Sequence, residues 1–358
     1  MRRRTAIRRG GMATAGLLTG LAVAHTLRQI GARVMWPAAG DDYRDENFAL
    51  IDTDEPGMVL ADDGVSLATR TYGDADAELT IVFVHGFANS MESFHFQRRD
   101  LAERWGSRVR MVFFDLRGHG RSGTPSTDSC TVAQLGRDVA MIIRECAPSG
   151  PVVVVGHSLG GMAVLAAAAQ FPALFATRVR AVGLLSTAAA EVTATGITQL
   201  LRHPAVDGFR VAARTAPTLV QLTRSASKQV VTPVLHVSSF HGRVSPTLSR
   251  FTTMMIDRTP VGTIEKFLKA IELHDESAAL PVLRELPVLI LGGAHDIVIP
   301  FRNSRLLAAK LPGSELVRVR EAAHMPHLQF PEITLAALDR LLERAGLTDT
   351  RGGEVVGG

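Results

Sequence analysis

Only two cysteines, Cys130 and Cys146, occur in the 358 residues. That is too few for a disulfide framework or a thiolate zinc cluster, and both are expected to be unpaired thiols. No dinucleotide fingerprint or phosphate loop is present, because Gly118-His119-Gly120 lacks the strand-to-helix glycine pattern such loops need. No metal and no cofactor are therefore expected. An excess of positive charge over the body of the chain is missing too. The net charge of +4 is more than accounted for by Arg2, Arg3, Arg4, Arg8 and Arg9. A basic surface for nucleic acid is thus not implied. Internal repeats are absent, and the one biased segment is the glycine-containing stretch Arg351 to Gly358, read as frayed, within a flexible tail 346–358.

What is present starts with that arginine cluster, which precedes the uncharged stretch Gly10 to Ala24. A basic region followed by an apolar one has the layout of a secretory signal or short anchor, and Ala22-Val23-Ala24 fits a cleavage site. The stretch is shorter than the roughly 20 residues a spanning helix needs. Residues 1–39 are accordingly expected to direct export or membrane association, in preference to a cytoplasmic location. The polar, acidic stretch 40–57 reads as a linker or arm. Beyond it, 46% hydrophobic and 21% charged residues describe a globular chain able to bury a large core.

Continuous apolar runs recur at Thr80 to Val84, Arg108 to Asp115, Pro151 to Gly156, Val179 to Ser186, Pro287 to Gly292 and Glu315 to Val319. Such runs are expected of strands covered on both faces. Helical patterns lie between them at Thr131 to Cys146, Ser158 to Gln170, Phe301 to Lys310 and Pro331 to Arg344. With short opening strands at Met58 to Leu60 and Val65 to Tyr72, the alternation predicts an α/β fold built on a doubly wound, mainly parallel sheet. It breaks once, between Thr187 and Leu286, where helix-like runs with several prolines and no clear strand read as an inserted helical cap, 188–286. The core then comprises 58–187 and 287–345. Leu200, Leu201, Phe209, Leu219, Val220, Phe240, Phe251, Met254, Met255, Phe267 and Leu268 are expected mostly to form the cap's own core and its seam with the sheet.

Gly156-His157-Ser158-Leu159-Gly160-Gly161 joins a predicted strand to a predicted helix. Gly156 and Gly160 leave room for a tight, strained turn that lifts the Ser158 hydroxyl above the sheet. A serine hydroxyl needs a general base, normally a histidine oriented by a carboxylate. Asp296 follows the Val288 to Leu291 strand, and His324 follows the last strand, so both fall at strand carboxyl ends, where open parallel sheets gather their sites. His327, after Pro326, is the rival base, and Glu191 is the rival acid nearest the Val179 strand. Both are ranked below His324 and Asp296. His157 is expected to support the site from beside the nucleophile, His295 to lie exposed in the acid loop, and Asp115 and His119 to hold the loop after the Arg108 strand.

These segments, with His85-Gly86-Phe87 and Asp115-Leu116-Arg117-Gly118-His119-Gly120-Arg121-Ser122, resemble the α/β-hydrolase superfamily from about Met58 to Arg344. The resemblance is to actinobacterial esterase- or lipase-like serine hydrolases, and it implies an eight-stranded sheet. It implies Ser158 as nucleophile, His324 as base, Asp296 as its orienting acid, and the backbone N–H groups of Phe87 and Leu159 as an oxyanion hole. His85, Gly86, Gly156, His157 and Gly160 would support them. The expected reaction is hydrolysis of a small or lipophilic carboxylic ester through an acyl-enzyme. Monoacylglycerol lipase, acyltransferase, thioesterase, aminopeptidase and perhydrolase chemistry share the same residues, and a ligand-binding protein without catalysis is the remaining alternative. Serine at the elbow argues against the carboxylate nucleophile of epoxide hydrolases and haloalkane dehalogenases of similar fold.

Overall fold

A computed structural model describes residues 35–37, 40–192, 235, 236 and 238–347. The signal-like region through residue 34, most of the tail, and the cap residues Leu200, Leu201, Phe209, Leu219 and Val220 lie outside the described residues. The strands are β1 (Met35–Pro37), β2 (Glu55–Leu60), β3 (Ser66–Tyr72), β4 (Leu79–Val84), β5 (Val109–Phe114), β6 (Val152–His157), β7 (Val179–Leu185), β8 (Gly242–Val244), β9 (Val288–Gly293) and β10 (Glu315–Val319). Eight of them form one sheet in the order β10-β9-β7-β6-β4-β5-β3-β2. Pairing is parallel from β10 through β5, and antiparallel at β3/β5 and β2/β3.

The central strands β4, β6 and β9 are buried along their whole length. Valine, isoleucine and leucine suit such positions because β-branched chains fit the pleat and helices cover both faces. Alternation sorts the residues: Val82 and Val84 belong to one core cluster, Ile81 and Phe83 to the other. The first face is covered by α2 (Val132–Cys146) and α3 (Leu159–Gln170), the second by α1 (His95–Trp105) and α10 (Pro331–Arg344). Thr131 caps α2, its hydroxyl accepting the Gln134 N–H at 3.1 Å. Gly136 is required where α2 crosses α3, since a Cβ there would lie 2.7 Å from the Ala166 Cβ.

Further helices among the described residues are α4 (Pro172–Arg178), α5 (Pro246–Arg258), α6 (Val261–Glu272), α7 (Leu280–Leu283), α8 (Phe301–Lys310) and α9 (Pro326–Gln329). In the described part of the excursion after Thr187, Phe240, Phe251, Met255 and Phe267 are buried, Leu268 is half-buried and Met254 is exposed. The reading of that excursion as strandless is corrected by β8. Met35 pairs in parallel with Gly242, and Pro37 with Val244. A three-residue strand whose partner lies about two hundred residues earlier in the chain leaves no periodicity to read.

Residues 41–54 lie over α1 and α5. Asp41 accepts from Ser245 Oγ, from Thr247 Oγ1 at 2.6 Å and from the Thr247 N–H at 3.3 Å, at the start of α5. The Phe48 ring stacks on Phe251 with centroids 4.2 Å apart, and Glu46 reaches His95 and Arg99 on α1. β2 opens at Glu55, earlier than Met58, because its exposed edge residues carry no alternation. Among the described residues no single helix is long and apolar enough to cross a membrane, and the bent pair α3 and α4 is apolar because α3 is core. Cys130 is buried and Cys146 half-buried, and both are free.

Candidate active site

Ser158 stands between β6 and α3 with φ 52° and ψ −116°, a left-handed conformation costly for any residue with a Cβ. The surroundings hold it there. Its N–H donates to Leu185 O at 2.9 Å, and its carbonyl accepts from Thr187 Oγ1 at 2.8 Å. The glycines on either side are steric necessities. A Cβ on Gly160 would lie 2.1 Å from Val84 O, one on Gly156 2.7 Å from the Gly160 backbone, and one on Gly161 2.6 Å from Thr187 Cγ2. Thr187 went unassigned in the sequence, where nothing distinguishes it from any other residue after a strand.

The structure brings Ser158, His324 and Asp296 together although 166 and 28 residues separate the successive contacts. His324 Nε2 accepts from Ser158 Oγ at 2.9 Å, and His324 Nδ1 donates to Asp296 Oδ2 at 2.8 Å. Asp296 in turn accepts the N–H groups of Val298 at 2.8 Å and Ile299 at 2.9 Å through its other oxygen. The carboxylate is thereby fixed, and it fixes the imidazole tautomer that leaves Nε2 free to accept. Ser158 is 5% exposed, which keeps the hydroxyl at the edge of solvent.

His157, on the strand side of the serine, is buried, and its Nε2–H donates to the His324 carbonyl at 2.8 Å. Burial first, then the neighbouring His327 and His324, hold its pKa well below the usual imidazole range. The ring is therefore a neutral strut beneath His324. His327 is buried in α9, its ring 4.4 Å from that of His157, and burial pushes its pKa down to about 3. Neither of its ring nitrogens has a hydrogen-bond partner among the described residues. Asp296, and not the exposed Glu191, is the carboxylate at His324.

On the other side of the serine runs the loop after β4. A Cβ on Gly86 would lie 2.6 Å from His157 Nδ1 and 3.2 Å from Ser158 Cβ, so glycine is needed for the loop to come this close. His85 Nδ1–H donates to Gly86 O at 2.8 Å while its Nε2 accepts the Leu116 N–H at 2.9 Å. With both nitrogens so engaged, burial lowers its pKa to about 3. The N–H groups of Phe87 and Leu159 have no acceptor among the described residues, and Leu159 N–H belongs to the unpaired first turn of α3. Asp115 accepts the N–H groups of Met91 and Arg121 at 2.9 and 2.8 Å and so ties both sides of this loop system. His119 Nδ1–H donates to Arg117 O at 3.1 Å, and its ring sits 6.2 Å from that of Phe87. His295 is exposed in the acid loop.

A serine hydroxyl hydrogen-bonded to an imidazole nitrogen, which is itself bonded to a fixed carboxylate, can attack an electrophilic carbonyl. A family model of the alpha/beta hydrolase fold matches residues 80–331. A pimeloyl-[acyl-carrier protein] methyl ester esterase of Neisseria meningitidis is 28% identical over 273 residues, 76% of this chain and 95% of that protein. Among solved structures, a thermophilic esterase from Thermogutta terrifontis superposes with a TM-score of 0.60 at 19% identity, covering 81% of this chain and 99% of the other. The enol-lactonase from Burkholderia xenovorans does so with a TM-score of 0.60 at 20% identity, covering 80% and 100%. The solved structures speak for the fold alone, and the family match over residues 80–331 shows that the chain belongs to the α/β hydrolase fold family, as a hydrolase.

Proposed function

We propose that this hydrolase cleaves carboxylic esters through an acyl-enzyme, with Ser158 as nucleophile, His324 as general base and acid, and Asp296 as the group that orients and stabilises the imidazolium. The observation that carries the reading is the unbroken relay from Ser158 Oγ through His324 to Asp296 at 2.9 and 2.8 Å. Ser158 Oγ attacks the ester carbonyl as its proton passes to His324 Nε2. The tetrahedral oxyanion is received by the N–H groups of Phe87 and Leu159. Collapse expels the alkoxide, which takes the proton from His324, and a water activated by the same imidazole releases the acid. Support for an ester substrate comes from the Neisseria relative, a methyl ester esterase by name.

Thioester, amide and acyl-acceptor chemistry would run on the same relay, so the acyl group and its acceptor depend on the pocket walls. A fluorophosphonate should label the intact protein and fail to label Ser158→Ala. A graded series of p-nitrophenyl acyl esters should be cleaved with a rate maximum that reports pocket depth. Absence of both labelling and cleavage in the folded protein would falsify the reading. Asp296→Asn, which strands the imidazole in the wrong tautomer, should lower kcat by about 10⁴; normal activity in that variant would reassign the acid. The basic and apolar N-terminus supports an exported or membrane-associated enzyme, and an intact Met1 on protein recovered from the soluble cytosol would overturn that placement.

A further inference from the structure

Beside the Ser158 relay, on the surface, three ligating side chains converge that the proposed reaction does not use. His241 comes from the turn before β8, His295 from the loop after β9 immediately before Asp296, and Glu321 from the turn after β10, three positions before His324. The imidazoles of His241 and His295 are stacked, with centroids 3.6 Å apart and planes 11° from parallel. One ligand atom from each of the three residues lies within 4.8 Å of the other two.

The backbones behind the two histidines are fixed. The Gln329 carboxamide clamps His241 from both sides, accepting its N–H at 3.3 Å and donating to its carbonyl. His295 N–H donates to Ala322 O at 2.9 Å, and Ala294 N–H to Val319 O at 2.9 Å, which holds the acid loop against the β10 turn. Only side-chain torsions remain to be adjusted, and these are inexpensive where His295 and Glu321 are exposed. Two imidazoles with one carboxylate form the donor set of a borderline divalent ion such as Zn²⁺ or Co²⁺, with water completing the sphere. Ca²⁺ and Mg²⁺, which prefer oxygen ligands alone, do not suit it.

We propose that His241, His295 and Glu321 form a surface site for a divalent transition-metal ion of the zinc class. The site is independent of the serine chemistry but mechanically joined to it. Its ligands sit on the loops of Asp296 and His324, and on the segment whose Ser238 and Ser239 carbonyls accept the N–H groups of His324 at 3.4 Å and Met325 at 3.0 Å. A bound ion would therefore cross-link the three segments that frame the base, without touching the reacting atoms.

The test uses the full-length, untagged protein, stripped with a chelator and titrated with Co²⁺. The expected result is a single saturable set of visible d–d bands, displaced by Zn²⁺, and a raised Tm with either ion. His241→Ala and His295→Ala should each weaken binding about tenfold or more, as loss of a direct ligand requires, and Glu321→Gln by less. His324→Ala should bind as the parent does. His295 is exposed, so its replacement tests the site without disturbing the core, and fluorophosphonate labelling reports that each ligand variant is folded. No saturable Co²⁺ signal, a signal that both histidine variants retain, or a signal lost in His324→Ala would each overturn the proposal.

Discussion

Ser158 holds a backbone conformation that costs on the order of 1–3 kcal/mol, and every neighbour that enforces it has a backbone or small-residue reason to be there. The same close fit extends across the site to Gly86, where a Cβ would meet His157 Nδ1 at 2.6 Å and Ser158 Cβ at 3.2 Å. Gly86→Ala must push the Phe87 loop away from the nucleophile. Its expected effect is a loss in kcat of about 10²–10³, that of one oxyanion donor, with fluorophosphonate labelling slowed in parallel. Unchanged kcat would mean that Phe87 N–H does not serve the transition state. At this scale the sequence was highly legible, since glycine and serine at fixed offsets report steric demands that hold whatever surrounds them. His157 was legible only as a neighbour. That its ring reaches the carbonyl of residue 324 depends on a contact 167 residues away.

At the scale of elements, the buried strands could be read because valine-rich runs need covering on two faces, and they appear within a residue of the expected bounds. Helix α1 could not. Its sequence, His95 to Trp105, is mostly charged and polar, with only His95, Phe96, Gln97, Leu101 and Trp105 buried. Arg117 shows how much such polar residues can bind together. Its buried guanidinium is bidentate to Asp138 on α2, with two contacts of 2.6 Å, and also holds Asp63 in the β2–β3 turn at 2.6 Å. Arg117→Ala leaves the Asp138 carboxylate buried without its partner. We expect a destabilisation of about 3–5 kcal/mol, measurable as a lower urea midpoint with unchanged m. A loss under 1 kcal/mol would show that water or rearrangement replaces the guanidinium.

Across the whole molecule, the histidines make stability depend on pH. Burial lowers the pKa of His85 to about 3, His119 to about 4 and His327 to about 3, and holds that of His157 well below its usual value. In the unfolded chain these rings titrate near pH 6.5. Below that pH the unfolded state takes up protons that the folded state refuses, so stability present above about pH 6.5 is lost as pH falls towards 4. Each ring contributes up to about 1.4 kcal/mol per pH unit. Asp115 and Glu276, both raised to about 7, first by burial and then by a neighbouring carboxylate, act in the opposite sense. They are fewer, and the net expectation is a loss exceeding about 1 kcal/mol between pH 7.5 and 5.5 by urea unfolding. Equal stability at the two values would show that the rings gain protons without unfolding.

The pairing of β1 with β8 carries a consequence for synthesis. Residues Met35–Pro37 leave the ribosome about two hundred residues before their partner strand exists, and long-range pairings of this kind close late. A nascent chain halted before Gly242 would have the proposed nucleophile, Ser158, but neither the proposed acid, Asp296, nor the proposed base, His324. On the proposed mechanism the hydroxyl thus stays chemically idle until the last quarter of the protein has been made.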